Sequence, residues 1–240
     1  MSYERDRRWR EERGRQGPSP VVLALIAELA LQFNRLPIKP KVTAALLVAN
    51  IGIYLTDFGR SPSVRRLNCL CAEKILANKL VDMPANRLLL SGFLHADDMH
   101  LYYNMISLMW KGSQLEPDIG TETFALLCLF SLVVSHILYL GICHSLLSFA
   151  DYSDSYYSCA VGFSAVLFAL KYVLNAKSDN MTTVYGITLP LKWAAWAELV
   201  LVSVVSKNAS FVGHLAGILA GMLWVHVVAP LFTARSRRRM

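Results

Sequence analysis

The chain has 240 residues, of which 55% are hydrophobic and 17% charged, with a mean hydropathy of +0.39; an ordinary soluble domain carries about 25% charged residues. That balance excludes a soluble globular enzyme and points to a chain that crosses a membrane several times. A net charge of +7 would suit nucleic acid, but the basic residues sit at the termini and between apolar runs. The expected partner is therefore the lipid bilayer and not nucleic acid.

The first residues, MSYERDRRWREERGRQG, are dense in arginine yet carry Glu4, Asp6, Glu11 and Glu12. Transit peptides of mitochondria are acid-poor, so none is expected, and neither is a cleavable signal peptide. Val21–Phe33 is apolar but broken by Glu28 and Gln32. It is expected as an amphipathic helix on the membrane surface, with a further span as the alternative. Residues 1–39 are thus expected as a basic cytosolic segment, 40–232 as one membrane domain and 233–240 as a short basic cytosolic tail.

A span needs roughly 20 mainly apolar residues. Fewer suffice where flanking groups snorkel, so six mainly apolar runs between charges are read as spans: Val42–Thr56, Met99–Leu115, Thr123–Ala150, Tyr156–Leu170, Trp193–Ser206 and Asn208–Ala234. The expected fold is an all-α bundle of six transmembrane helices, with Thr123–Ala150 long enough for a span plus a loop. The second run is polar, holding His100, Asn104 and Lys111, and polar groups inside a span face a protein interior or a wet cavity. Glu198 interrupts the fifth, where a lone charge costs about 2.5 to 3.5 kcal/mol, so it is expected protonated or paired, in a structural role.

An even number of spans puts seventeen of the 24 Lys and Arg on the side of the termini. The positive-inside rule makes that side cytosolic and the loop Phe58–Leu94 lumenal or extracellular. The sequon at Asn180 then faces the cytosol, and the one at Asn208 lies lumenal, close to the membrane. Five cysteines, at 69, 71, 128, 143 and 159, show no metal-ligand spacing. They are expected as reduced bystanders, with Cys69 and Cys71 open to oxidation if their loop is extracytosolic.

Chemistry concentrates in three runs. Ser158–Leu170, SCAVGFSAVLFAL, is an uncharged, helix-length stretch holding Ser164 behind Gly162 and Phe163. Phe211–Trp224, FVGHLAGILAGMLW, holds His214 among Gly213, Gly217 and Gly221. Small residues every fourth position let membrane helices approach closely, and His214 shares a face with Gly217 and Gly221. A lone serine is usually inert, and such glycines by themselves equally suit plain helix packing. Together, Ser164 and His214 have the makings of a nucleophile and its general base, with no acid evident to complete a triad. His100 and Asn104, one helical turn apart, can donate to an oxyanion, although glue between helices explains either one alone. His136 and His144 have no spaced partner and are expected as core or interfacial residues.

The set H-x4-H-x3-N at His95, His100 and Asn104, followed by Gly112 and Glu116, then G-x-S at Gly162–Ser164 and G-H-x-x-G-x-x-x-G at Gly213–Gly221, resembles the rhomboid family of intramembrane serine proteases. The resemblance covers residues 40 to 232 in the family's order and is nearest to the endoplasmic-reticulum type. It implies Ser164 as nucleophile, His214 as base, and His100 and Asn104 as oxyanion donors, in a cavity open to the lumenal side. Arg87 matches the arginine of the family's tryptophan-arginine motif, with Asn86 in place of the tryptophan. Ala165 replaces a usual glycine, and Phe168 a frequent tyrosine.

The expectation is an endopeptidase without metal or organic cofactor that cleaves transmembrane segments of membrane proteins, in the endoplasmic reticulum membrane. The alternative is a catalytically silent member that captures membrane clients for degradation or trafficking. The short tail is expected to be without the segments by which longer relatives bind degradation machinery, which stays a possible partner.

Overall fold

The computed structural model describes residues 17–77, 84–184, 187–206 and 209–231. Expectations for residues 1–16, the Asn208 sequon and the tail 233–240 lie outside them. The chain forms two compact units, residues 1–121 with 159–163, and residues 122–158 with 164–240.

In the first unit, helix α1 (Pro20–Arg35) begins where the Ser19 hydroxyl accepts the Val22 N–H and proline occupies the first turn. It buries Val22, Leu25 and Leu29, a helical stripe, while Leu23 and Leu31 stay exposed. Helix α2 (Lys41–Leu55) follows Pro40, whose side chain cannot cap it. A distant carboxylate takes over: Glu116 accepts the N–H groups of Val42 and Thr43 and the Thr43 hydroxyl, all at 2.9 Å. Four residues earlier, Gly112 makes room, since a Cβ there would lie 2.2 Å from Thr43 Oγ1.

The first loop is not extended. It folds into short helices α3 (Asp57–Arg60), α4 (Pro62–Asn68), α5 (Ala72–Leu76) and α6 (Pro84–Leu90), then a 3-10 turn at Ser91–Phe93. Helix α7 (Asp98–Ile119) starts at Asp97, which accepts the His100 N–H at 2.8 Å, and ends at Gly120 with φ +85°. The expectation of reduced cysteines fails here. Cys69 is joined to Cys159 by a disulfide, and the neighbours Leu70 and Ala160 pair antiparallel; Cys71, Cys128 and Cys143 are buried and form no disulfide among the described residues. Local spacing cannot foresee a bond across 90 residues.

In the second unit, Thr121–Ala150 is one uninterrupted helix, α8, of 30 residues, so the span-plus-loop reading is corrected. No proline interrupts it, and the turn comes at Asp151, with φ +51°. After α9 (Asp154–Tyr157), the run expected as one helix is broken, because α10 covers only Ser164–Asn175. The fold is mostly helical, with one hairpin added: β1 (Met181–Val184) and β2 (Ile187–Pro190) pair antiparallel, Met181 opposite Pro190. Their β-branched content favours strand, and the Thr183 and Thr188 hydroxyls meet across the pair at 3.2 Å.

Helices α11 (Ala194–Val205) and α12 (Phe211–Leu223) complete the unit, α12 continuing through a π-turn at Trp224–Val228 to Leu231. Phe168, Ala195, Leu199 and Ile218 form a core shared by α10, α11 and α12. Lys171 and Glu198 pair between α10 and α11, which answers the charge at position 198. Among the described residues, Thr121–Ala150 and Phe211–Leu231 are long and apolar enough to cross a membrane alone, and Lys41–Leu55 and Ser164–Asn175 are apolar but shorter.

Candidate active site

Ser164 owes its position to the residues before it. Ala160 is held extended by two 2.9 Å backbone bonds to Leu70, and the Gly162 N–H donates to the Ser91 carbonyl at 2.9 Å. Gly162 then takes φ +118°, a conformation that costs glycine little and other residues much. The turn starts α10, so Ser164 is its first residue, half-buried rather than lost inside a helix.

His214 sits in the first turn of α12, where the Ser210 hydroxyl accepts the Gly213 N–H at 3.1 Å. The glycines on its face admit α10 closely: a Cβ at Gly217 would lie 2.2 Å from the Ala165 carbonyl oxygen, and one at Gly221 2.8 Å from that of Ala169. The approach leaves His214 Nε2 3.0 Å from Ser164 Oγ. Phe168, one turn beyond the serine and on its face, stacks on the imidazole with ring centroids 4.4 Å apart and an interplanar angle of 24°. A neutral imidazole whose Nε2 accepts from the hydroxyl can withdraw its proton; the stacked ring limits the imidazole's rotation without adding charge.

The first unit holds the remaining candidates. His100 Nδ1 accepts the Ala96 N–H at 3.3 Å, which leaves the proton of a neutral ring on Nε2, a hydrogen-bond donor. That edge lies against Gly162, where a Cβ would come within 2.7 Å of Nε2. The Asn104 amide donates to the His100 carbonyl at 2.8 Å, and its buried Oδ1 makes no hydrogen bond among the described residues. His95 is fully buried, edge-on to His100 at 5.1 Å. Burial first, and the His100 ring second, push its pKa down to about 3 against the opposing pull of the Phe93 backbone, so His95 is neutral at physiological pH.

Arg87 is buried, with Nη1 donating to the carbonyls of Cys69 at 3.2 Å and Arg66 at 3.4 Å. Ser164, Phe168, His214, Gly217 and Gly221 therefore assemble in the second unit, and His95, His100, Asn104, Gly162 and Arg87 belong to the first. Among the described residues, no three His, Cys, Asp or Glu side chains converge as metal ligands. Sequence reasoning missed the disulfide beside the site; its one signal was that the expected topology puts Cys69 and Cys159 on the same side.

The chain matches the pattern described as the Rhomboid domain over residues 84–231. It is 42% identical over 213 residues to rhomboid-like protein 14, mitochondrial, of Arabidopsis thaliana, which covers 88% of this chain and 63% of that protein. With rhomboid-related protein 4 of Homo sapiens it shares 40% identity over 186 residues, 77% of this chain and 56% of that protein. Rhomboid-like protein 15 of Arabidopsis thaliana is 31% identical over 136 residues, 53% of this chain and 32% of that protein. The chain thus spans less than two thirds of the length of these relatives. With a family pattern covering most of the chain and apolar helices able to cross a bilayer, it belongs to the rhomboid family of membrane proteins and stands near rhomboid-related protein 4.

Proposed function

We propose that the chain is an intramembrane serine endopeptidase, a reading carried by the 3.0 Å approach of Ser164 Oγ to His214 Nε2 under the Phe168 ring. His214 takes the hydroxyl proton as Ser164 Oγ attacks a peptide carbonyl, then returns it to the leaving amine. Water repeats the sequence to release the acyl group. The developing oxyanion needs donors. The first N–H groups of a helix have no intrahelical acceptor, which offers the Ser164 amide, and the Nε2–H of His100 and the Asn104 amide are the proposed side-chain donors. Each such donor is worth about 2.7 to 4 kcal/mol in the barrier.

The substrates are transmembrane segments of other proteins, whose scissile bond must first leave its helical hydrogen bonds, so helix-destabilising residues favour cleavage. We further read six spans, α2, α7, α8, α10, α11 and α12, with cytosolic termini in the endoplasmic reticulum membrane. The disulfide supports this orientation, since Cys69 and Cys159 then share the extracytosolic side, where such bonds persist.

Purified protein mixed with a single-span model substrate should release product, whereas Ser164→Ala and His214→Ala should each lower the rate at least ~10³-fold. A fluorophosphonate should label wild type and not Ser164→Ala. Equal product from all three proteins would eliminate the protease and favour a silent binder of membrane clients.

A further inference from the structure

The five residues before Ser164 are held more firmly than an ordinary loop. Cys159 is bonded to Cys69, with Cα atoms 5.4 Å apart. Ala160 is paired with Leu70, Gly162 is bonded to Ser91 and lies against His100, and the Phe163 ring sits 5.6 Å from that of Phe93. The anchoring end is itself fixed: Cys69 is fully buried, its N–H donates to the Arg65 carbonyl at 2.8 Å, and its carbonyl accepts from Arg87. Cys159 is exposed. The strap Cys159–Phe163 therefore runs from a buried anchor straight into the peptide bond of Ser164.

We propose that the Cys69–Cys159 disulfide, seated by Arg87, is a positioning device for the nucleophile, and that reducing it lowers turnover. This rests on the reading of Ser164 as the attacking group. With the bond closed, the strap has one extended path, and the Ser164 hydroxyl and amide start α10 in one place. With it open, the strap keeps no covalent tie to Cys69 and is restrained by the two backbone bonds at Leu70, the one at Ser91, and the packing of Gly162 on His100 and of Phe163 on Phe93. The chemistry is thiol exchange: a dithiol's thiolate attacks the exposed Cys159 sulfur, and Cys69 leaves as a thiolate and takes up a proton. The dithiol's second thiolate then displaces Cys159, leaving two protein thiols and one oxidised dithiol, a two-electron exchange. An oxidising lumen keeps the bond closed.

The test uses the full chain in proteoliposomes, with kcat, KM and the rate of fluorophosphonate labelling of Ser164 measured well below each variant's unfolding temperature. Dithiothreitol, Cys69→Ala and Cys159→Ala should each lower kcat and the labelling rate about ten- to a hundredfold, the scale on which small misplacements act, with KM within about twofold. Cys71→Ala should match wild type and stay sensitive to dithiothreitol. The double variant Cys69→Ala/Cys159→Ala should be slow and insensitive. Reoxidation should restore the reduced wild type.

Undiminished kcat in protein whose Cys69 and Cys159 are both shown alkylated by mass spectrometry would overturn the positioning role and leave the protease standing. Finding both thiols free in never-reduced protein would do the same. Absence of any Ser164-dependent cleavage or labelling in wild type would instead overturn the protease reading, and this proposal with it.

Discussion

Among single residues, His95 shows how burial without charge shapes this protein. Its pKa of about 3 lies below the ordinary 6.5, so between those values the unfolded chain binds a proton that the folded one refuses. Stability therefore falls as pH drops through that window, by about 2 kcal/mol between pH 7.5 and 5. Thermal unfolding of detergent-solubilised wild type and His95→Phe at the two pH values checks this, and the variant should lose that much of the acid sensitivity. An identical acid slope in both would show that His95 takes up its proton while folded. The candidate nucleophile and base were legible at this scale, since a hydroxyl and an imidazole amid apolar runs invite explanation. The donor that sets the His100 tautomer was not. Ala96 N–H reaches Nδ1 only because Asp97 turns the chain into α7.

Between elements, legibility follows the range of the contacts. The packing of α10 on α12 could be read from glycines four residues apart, because helix periodicity repeats locally. The break before Ser164 could not. SCAVGF is as apolar as a helix, and its extended path depends on Leu70 and Ser91, which lie 90 and 71 residues earlier than their partners Ala160 and Gly162. The pairing of Glu198 was foreseen as one of two outcomes, and Lys171 supplies it. Helix α11 buries mainly Ala194, Ala195 and Leu199 and exposes Val200, Val204 and Val205, so a narrow stripe and this ion pair attach it. Removing one partner leaves a lone charge in an apolar run: Lys171→Met or Glu198→Leu should each destabilise by about 2 to 3 kcal/mol. The double variant should recover more than half of the summed loss, a coupling that thermal unfolding in a double-mutant cycle would reveal. Strictly additive losses would mean that the two charges do not sense each other.

For the whole chain, the open matter is which side of which membrane each loop occupies. If α2, α7 and α8 each cross once, as proposed, Cys69 and Cys159 lie on the same side, and the proposed orientation puts that side outside the reducing cytosol, where a disulfide between them persists. One more crossing by α10 puts Asn180 in the cytosol, in agreement with the positive-inside count. One relative's name carries the word mitochondrial, and N-linked glycan separates the two compartments because it is added in the endoplasmic reticulum. In microsomes, the native Asn180 sequon should therefore stay bare, with Asn180→Gln running at the position of wild type after mock and endoglycosidase treatment alike. Leu80→Thr completes an Asn78 sequon in the first loop and should add one endoglycosidase-sensitive glycan, abolished by Asn78→Gln. A glycan on Asn180 would invert the orientation and move the strap to the reducing side. A bare Asn78 in the Leu80→Thr variant, with Asn180 also bare, would move the protein out of the endoplasmic reticulum, and the redox control of Ser164 would then answer to another compartment's thiols.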